Sequence, residues 1–177
     1  MMEKFNKQNV WIYNTIQLYR KNRIDYLKMI LEKAKHHQFK LGLKLVRGAY
    51  YEMENERAKQ MNYPSPVHEC KTDTDNDYNK ALTICIENIN KVSVCAGTHN
   101  EESSQLLSRL LEKHNISKDD KRVYFSQLLG MSDHISYNAA KKGYNVVKYV
   151  PYGPIKDVLP YLIRRAEENN SIAGQMG

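Results

Sequence analysis

Two adjacent arginines, Arg164 and Arg165, stand in the last helical stretch of this 177-residue chain, with Tyr161 one turn earlier. A guanidinium grips a carboxylate in a planar, two-pronged way that lysine cannot reproduce, so the pair is a candidate clamp for an anionic ligand. Successive helical residues point about 100° apart, and both side chains reach one ligand only if it lies across the helix. The plainer alternative is an exposed pair answering Glu167 or Glu168. Other hydrogen-bonding side chains come in short groups: Gln17 with Tyr19, Arg47-Gly48-Ala49-Tyr50, Thr98-His99-Asn100, Gln127, and Tyr149-Val150-Pro151-Tyr152-Gly153.

Each group sits at the end of an apolar run, and those runs are the elements that must position it. Val10 to Tyr19 is β-branched and aromatic and predicts a first strand. Ile24, Leu27, Ile30, Leu31 and Ala34 then recur at helical spacing up to about His37. Leu41 to Gly48, Val92 to Gly97, Arg122 to Leu128 and Asn145 to Tyr149 predict four further strands. Helices are expected at Glu52–Met61, Asp75–Asn90, Glu101–His114, Asp133–Lys142 and Ile155–Asn169, with the prolines of Tyr63-Pro64-Ser65-Pro66 ending the first of these. Strict alternation of strand and helix implies a parallel sheet with right-handed crossovers. All the polar groups then share one face, the one where such folds bind ligands. Five units suit an open doubly wound sheet, whereas a (β/α)8 barrel usually takes about 250 residues. The count alone favours the open sheet.

Composition narrows the class. With 41% hydrophobic and 27% charged residues the chain has the balance of a globular domain, and 1–177 reads as a single domain. No apolar stretch approaches the roughly 18 residues of a membrane span, and the N-terminus lacks the apolar region of a signal peptide. Cys70, Cys85 and Cys95 are an odd number at unremarkable spacings, which fits a reducing compartment. The net charge of +7 is scattered along helices rather than gathered beside aromatics, so a nucleic-acid partner is not expected. The excess positive charge suits an anionic ligand or an anionic membrane surface.

Several motifs are tempting and fail. Ser132-Asp133-His134 are consecutive and cannot form a catalytic triad, and no elbow glycines flank the serine. His99 has no second ligand at useful spacing, so no metal site is expected. His36-His37 fits a helix C-terminus, where positive charge is favourable. Neither a Rossmann nor a P-loop glycine pattern is present.

Four segments together carry a resemblance. They are Lys44-Leu45-Val46-Arg47-Gly48-Ala49-Tyr50, Gly97-Thr98-His99-Asn100, Phe125 to Asp133, and Lys148-Tyr149-Val150-Pro151-Tyr152-Gly153-Pro154 leading into Leu159 to Asn169. In this order and spacing the chain resembles proline dehydrogenase, alone or as a domain of proline utilisation A, from about Val10 to its end. The resemblance implies a (β/α)8 TIM-type barrel, with about five of the eight βα units in this sequence and about three N-terminal units outside it. It implies oxidation of L-proline to 1-pyrroline-5-carboxylate by hydride transfer to FAD, the first step of proline catabolism. It implies membrane quinone as electron acceptor. The corresponding location is cytoplasmic or peripheral at the inner membrane in bacteria, and mitochondrial in eukaryotes.

The resemblance also assigns roles. Arg164 and Arg165 match the substrate carboxylate clamp and Tyr161 the residue packed on the proline ring, while Tyr50, Tyr149 and Leu128 match the pocket wall. Gln17, Lys44, Val46, Gly48, Thr98, His99, Asn100, Gln127 and Glu168 match the flavin side. Lys44 takes a place where many relatives carry arginine, near flavin N5, where a cation favours the reduced ring. Gly48, lacking a side chain, would let the ring approach the backbone. Lys71 and Thr74, with Thr72 and Asp75, match a segment at the phosphate and adenine end, although Thr74 or Asp75 could equally cap the helix that follows. The family's catalytic lysine and its acidic partner have no counterpart in this sequence, so no catalytic residue is assigned. A barrel short of three units exposes strand edges, and the isolated chain is expected to be inactive, poorly stable or associated with another chain. The rival readings are a non-catalytic fragment of the barrel without flavin turnover and another barrel enzyme for an anionic substrate.

Overall fold

A computed structural model describes the backbone of residues 1–173 and the side chains of residues 1–165. The elements are α1 (Met2–Phe5), β1 (Tyr13–Gln17), α2 (Arg23–His36), β2 (Leu41–Val46), α3 (Tyr51–Gln60), α4 (Lys71–Glu87), β3 (Val92–Gly97), α5 (Glu101–Lys113), β4 (Val123–Leu128), α6 (Asp133–Lys141), β5 (Val146–Tyr149) and α7 (Ile155–Ala173). All strand pairings are parallel, and the spatial order is β1-β2-β3-β4-β5.

That order decides between the two architectures. A doubly wound sheet reverses its order partway and carries helices on both faces. Here each strand pairs with the next one in sequence. Leu41, Leu43 and Leu45 of β2 and Val92, Val94 and Ala96 of β3 are buried in one cluster with Leu27 and Leu31 of α2, Tyr78 and Leu82 of α4, and Leu107 and Leu111 of α5. The alternate residues, Lys44, Ser93, Cys95, Tyr124 and Val147, line an open cavity of about 630 Å³ on the opposite face together with Tyr13. Helices on one side and a hollow on the other make an arc of a βα barrel, not an open sandwich. Leu43 is fully buried, and Leu43→Ala would cost about 2–5 kcal/mol.

Chain reversal after four helices uses one device. Gln38, Asn62, Asn115 and Gly143 adopt positive φ just beyond α2, α3, α5 and α6. The next residue in each case, Phe39, Tyr63, Ile116 and Tyr144, donates its backbone N–H to a carbonyl five residues back, at Ala34, Ala58, Leu111 and Ala139. This is the Schellman closure with its apolar residue, and after α2 and α6 it turns the chain almost at once into the following strand.

The first strand is shorter than the apolar run suggests. The buried Asn6 side chain accepts the backbone N–H groups of Trp11 and Ile12, each at 3.0 Å, and donates to Ile12 O at 2.8 Å. Those backbone groups are thereby withheld from the sheet. Helix α4 starts at Lys71, not Asp75, with Cys70 at its N-cap and no side-chain cap bond. Thr74 and Asp75 therefore lie inside the helix rather than capping it.

Candidate functional site

The strands and α7 bring four contacts into one mouth, two between arginine and tyrosine, one between lysine and tyrosine and one between two tyrosines. Lys44 of β2 places Nζ 4.8 Å from the ring centre of Tyr149 on β5. Along a flat sheet these strands would stand about 14 Å apart, three strand spacings, so the contact spans the hollow of a curved one. Tyr149 meets Tyr161 of α7 edge-on at 6.0 Å, and Arg165 lies 5.2 Å over Tyr161. Arg164 lies 5.6 Å over Tyr50, the N-cap residue of α3. Leu128 closes the wall, paired in register with Tyr149 and buried. The residues singled out as a substrate pocket thus converge, although they come from three elements, β4, β5 and α7, and the loop before α3.

Electrostatically the mouth favours an anion with an apolar body. Among the described residues neither Lys44 nor Arg164 has an acidic partner, and Arg164 Nε is buried with no hydrogen-bond partner. Tyrosine faces attract cations for about 0.5–1 kcal/mol at such half-exposed positions, which steers the guanidiniums without consuming their donors.

The next ledge is more internally committed. Thr98 is buried, and its Oγ1 accepts from Arg47 Nη1 at 2.7 Å and from the Asn100 N–H at 3.0 Å. Asn100 caps α5 by accepting the Ser103 N–H at 2.8 Å. Gln127 is only 2% exposed: Nε2 donates to Thr98 O at 3.2 Å and Oε1 accepts from Ser136 Oγ of α6 at 2.9 Å, which directs the amide under α6. His99 is exposed and touches Ser132 Oγ at 3.0 Å. Partial desolvation of its ring, with Lys148 and Arg165 nearby, lowers its pKa below the ordinary value. Lys148 itself pairs with Asp133 at 2.7 Å.

Gln17 and Val46 are partners in register at the ends of β1 and β2, both half-buried. Gly48 has φ +130°, and the Tyr19 ring stands 2.3 Å from where a Cβ would be. The absent side chain therefore makes room for Tyr19. Lys71 is exposed in the first turn of α4 and Thr74 is buried behind it. Glu168 has its side chain outside the described residues.

Sequence reasoning placed Arg47 among the strand-end polar residues but gave it no role of its own. Its Nε donates to Asp75 at 2.5 Å, Nη1 to Thr98 and Nη2 to Ser103 at 3.0 Å, and its plane lies 4.4 Å from the Tyr78 ring. Its partners are 28 to 56 residues away, so no local motif announces them.

The proline dehydrogenase family model matches residues 1–177. The chain belongs to the proline dehydrogenase family. It is 41% identical to human mitochondrial proline dehydrogenase 1 over 97% of its length, and 38% identical to the Drosophila melanogaster enzyme over the same share. It is also 38% identical to Xenopus laevis hydroxyproline dehydrogenase over 97% of its length. These alignments take up 29%, 27% and 38% of the respective relatives, so the chain spans roughly a third of the proteins it matches. Among solved structures, proline utilization A from Bdellovibrio bacteriovorus, inactivated by N-propargylglycine, superposes with TM-score 0.82 at 30% identity. That match covers 88% of this chain and 16% of the other. The family's barrel accounts for both the sequential strand order and the hollow face.

Proposed function

We propose that this chain supplies the C-terminal part of the catalytic face of an enzyme that oxidises L-proline to 1-pyrroline-5-carboxylate with FAD, the first step of proline catabolism. The mouth joining Lys44, Tyr149, Tyr161, Arg165, Arg164 and Tyr50 carries this reading. Arg164 and Arg165 hold the substrate carboxylate in charge-assisted bonds. Tyr161 packs on the proline ring and limits its size, while Tyr50, Tyr149 and Leu128 exclude water around it. Oriented in this way, the ring presents the carbon beside nitrogen to the flavin, and the reaction gains from restricted motion.

The donor set fits a flavin. A lysine with no acidic partner among the described residues stands at the mouth, and a row of strand-end polar groups runs from Gln17 to Asn100. Lys44 is suited to the electron-rich end of the ring. Gln17, Val46, Gly48, Thr98, His99, Asn100 and Gln127 form its border, Glu168 is assigned to it on the resemblance alone, and Lys71, with Thr74 behind it, serves the adenine end. Held by these residues, FAD would supply the hydride-accepting chemistry, and membrane quinone is our assignment for the final electron acceptor. Among the described residues no helix is long and apolar enough to cross a membrane. A peripheral place at a membrane suits that acceptor, at the bacterial inner membrane or, in a eukaryote, in the mitochondrion, as the names of the human and Drosophila relatives state for those proteins.

Five strands do not close an eight-stranded barrel. The unpaired edges of β1 and β5 and the open cavity favour a second statement: the chain turns over proline only when about three more βα units complete the ring. Alone, it behaves as a non-catalytic fragment. Purified by itself, the chain should show no L-proline-dependent dye reduction. Joined by a polypeptide supplying the three units, it should retain FAD and gain that activity. Turnover by the lone chain would refute the incomplete-barrel reading, and a completed barrel without flavin would refute the enzymatic one.

A further inference from the structure

We infer that Arg47 is the positioning residue of the cofactor ledge: it locks the strand ends and helix N-termini that border the site into one rigid unit without touching the ligand itself. The inference rests on the functional reading above. Arg47 follows the last residue of β2, and its three kinds of donor nitrogen go to three separate elements. Nε reaches Asp75 of α4 at 2.5 Å, Nη1 reaches Thr98 beyond β3 at 2.7 Å, and Nη2 reaches Ser103 in the first turn of α5 at 3.0 Å. One face of the guanidinium lies on Tyr78, which is fully buried in α4. Its backbone carbonyl accepts the Tyr19 N–H at 2.8 Å, tying in the chain beyond β1 as well.

Each tie bears on a candidate cofactor residue. Thr98, held by Arg47, passes the constraint on twice: its hydroxyl accepts the Asn100 N–H and its carbonyl accepts the Gln127 amide. Ser103 donates to Asn79 of α4 at 2.7 Å while accepting from Arg47, so α4 and α5 are cross-braced. Asp75 belongs to the same turn as Thr74. Immediately after Arg47, the chain turns through Gly48 to Tyr50, on which Arg164 rests. A single side chain thus sets the relative places of Gly48, Thr74, Thr98, Asn100 and Gln127. Lysine could not do this. It carries the charge but lacks the planar fork that aims three bonds at once and stacks flat on a ring.

The test pairs Arg47→Lys with hydrogen–deuterium exchange on the purified chain and FAD titration of the completed barrel. In Arg47→Lys, amides of residues 98–104 should exchange about tenfold or more faster while α2, which Arg47 does not touch, stays at the wild-type rate. FAD should bind roughly tenfold or more weakly, the usual scale for losing a residue that orients direct ligands. If Arg47→Lys fails to fold, Ser103→Ala trims one acceptor and leaves the guanidinium in place. It should speed the same amides by about threefold. Uniformly faster exchange across the chain, or unchanged exchange at 98–104, would overturn the positioning role. A wild-type completed barrel that takes up no FAD would overturn the proposed function, while the exchange result would still decide Arg47.

Discussion

Arg47 and Arg164 are two arginines at the same end of one barrel, and they are used in opposite ways. Arg47 spends its fork on Asp75, Thr98 and Ser103 and its face on Tyr78. Arg164 spends only its face, on Tyr50, and keeps a buried Nε without a hydrogen-bond partner among the described residues. A structural arginine has its donors satisfied by the protein. A ligand-binding one is steered by a ring and holds its donors in reserve. The two should therefore respond differently to mutation.

The largest effect expected is on substrate use. Arg164→Met in the completed, flavin-loaded barrel should lower kcat/KM for L-proline by roughly 10²–10³, the scale of a lost charge-assisted contact to a reacting ligand. Its melting temperature should stay within about 2 °C, because only a half-exposed ring contact is lost. Arg47→Met should reverse that pattern at the level of stability. Breaking the partly buried pair with Asp75 costs about 2–3 kcal/mol, measurable as a lower denaturant midpoint with unchanged slope. If both variants lose stability equally, the contrast fails.

Gly48→Ala sharpens the same comparison, since it disturbs the turn that links the two arginines. With φ at +130° and Tyr19 in the way, it should cost about 1–3 kcal/mol in chemical denaturation. An unaffected midpoint would mean that Tyr19 relaxes freely.

The smallest effect concerns His99. Its folded-state pKa lies below the ordinary 6.5, chiefly through partial desolvation of the ring and secondarily through Lys148 and Arg165. The folded state thus resists a proton that the unfolded chain accepts. The contribution of His99 to stability is complete above about pH 6.5 and is lost as pH falls below it. Lys148→Met should raise the His99 pKa part of the way back, read by NMR titration, because the larger cause, desolvation, remains. A fall would show that the cation is not acting on the ring.

Much of this was legible in the sequence, for identifiable reasons. The strands from Leu41, Val92 and Val123 announced themselves because their buried faces are branched and apolar, and the helices because Leu107, Leu110 and Leu111, or Leu27, Ile30 and Leu31, recur on one side. Strand β1 was overestimated because Asn6, four residues before the apolar run, captures its first backbone groups. The unit count alone pointed to an open sheet; the resemblance already implied a barrel, and the spatial strand order, which local pattern does not encode, bears the barrel out. The residues of the mouth were recognisable as a set. The direction of Gln127 and the room Gly48 makes for Tyr19 were not, since both depend on side chains from other elements, Ser136 and Tyr19. Arg47 stood among the strand-end polar residues, but its bracing role was hidden on the same ground.

The central claim is that the clamp and flavin ledge of this chain serve proline oxidation. The most direct measurement is the visible flavin spectrum of the completed barrel during anaerobic addition of L-proline. The account predicts bleaching of the bound flavin by L-proline, and its loss in Arg164→Met and Arg165→Met while the flavin remains bound. A spectrum that does not respond to L-proline, or equal bleaching in the clamp variants, would contradict it.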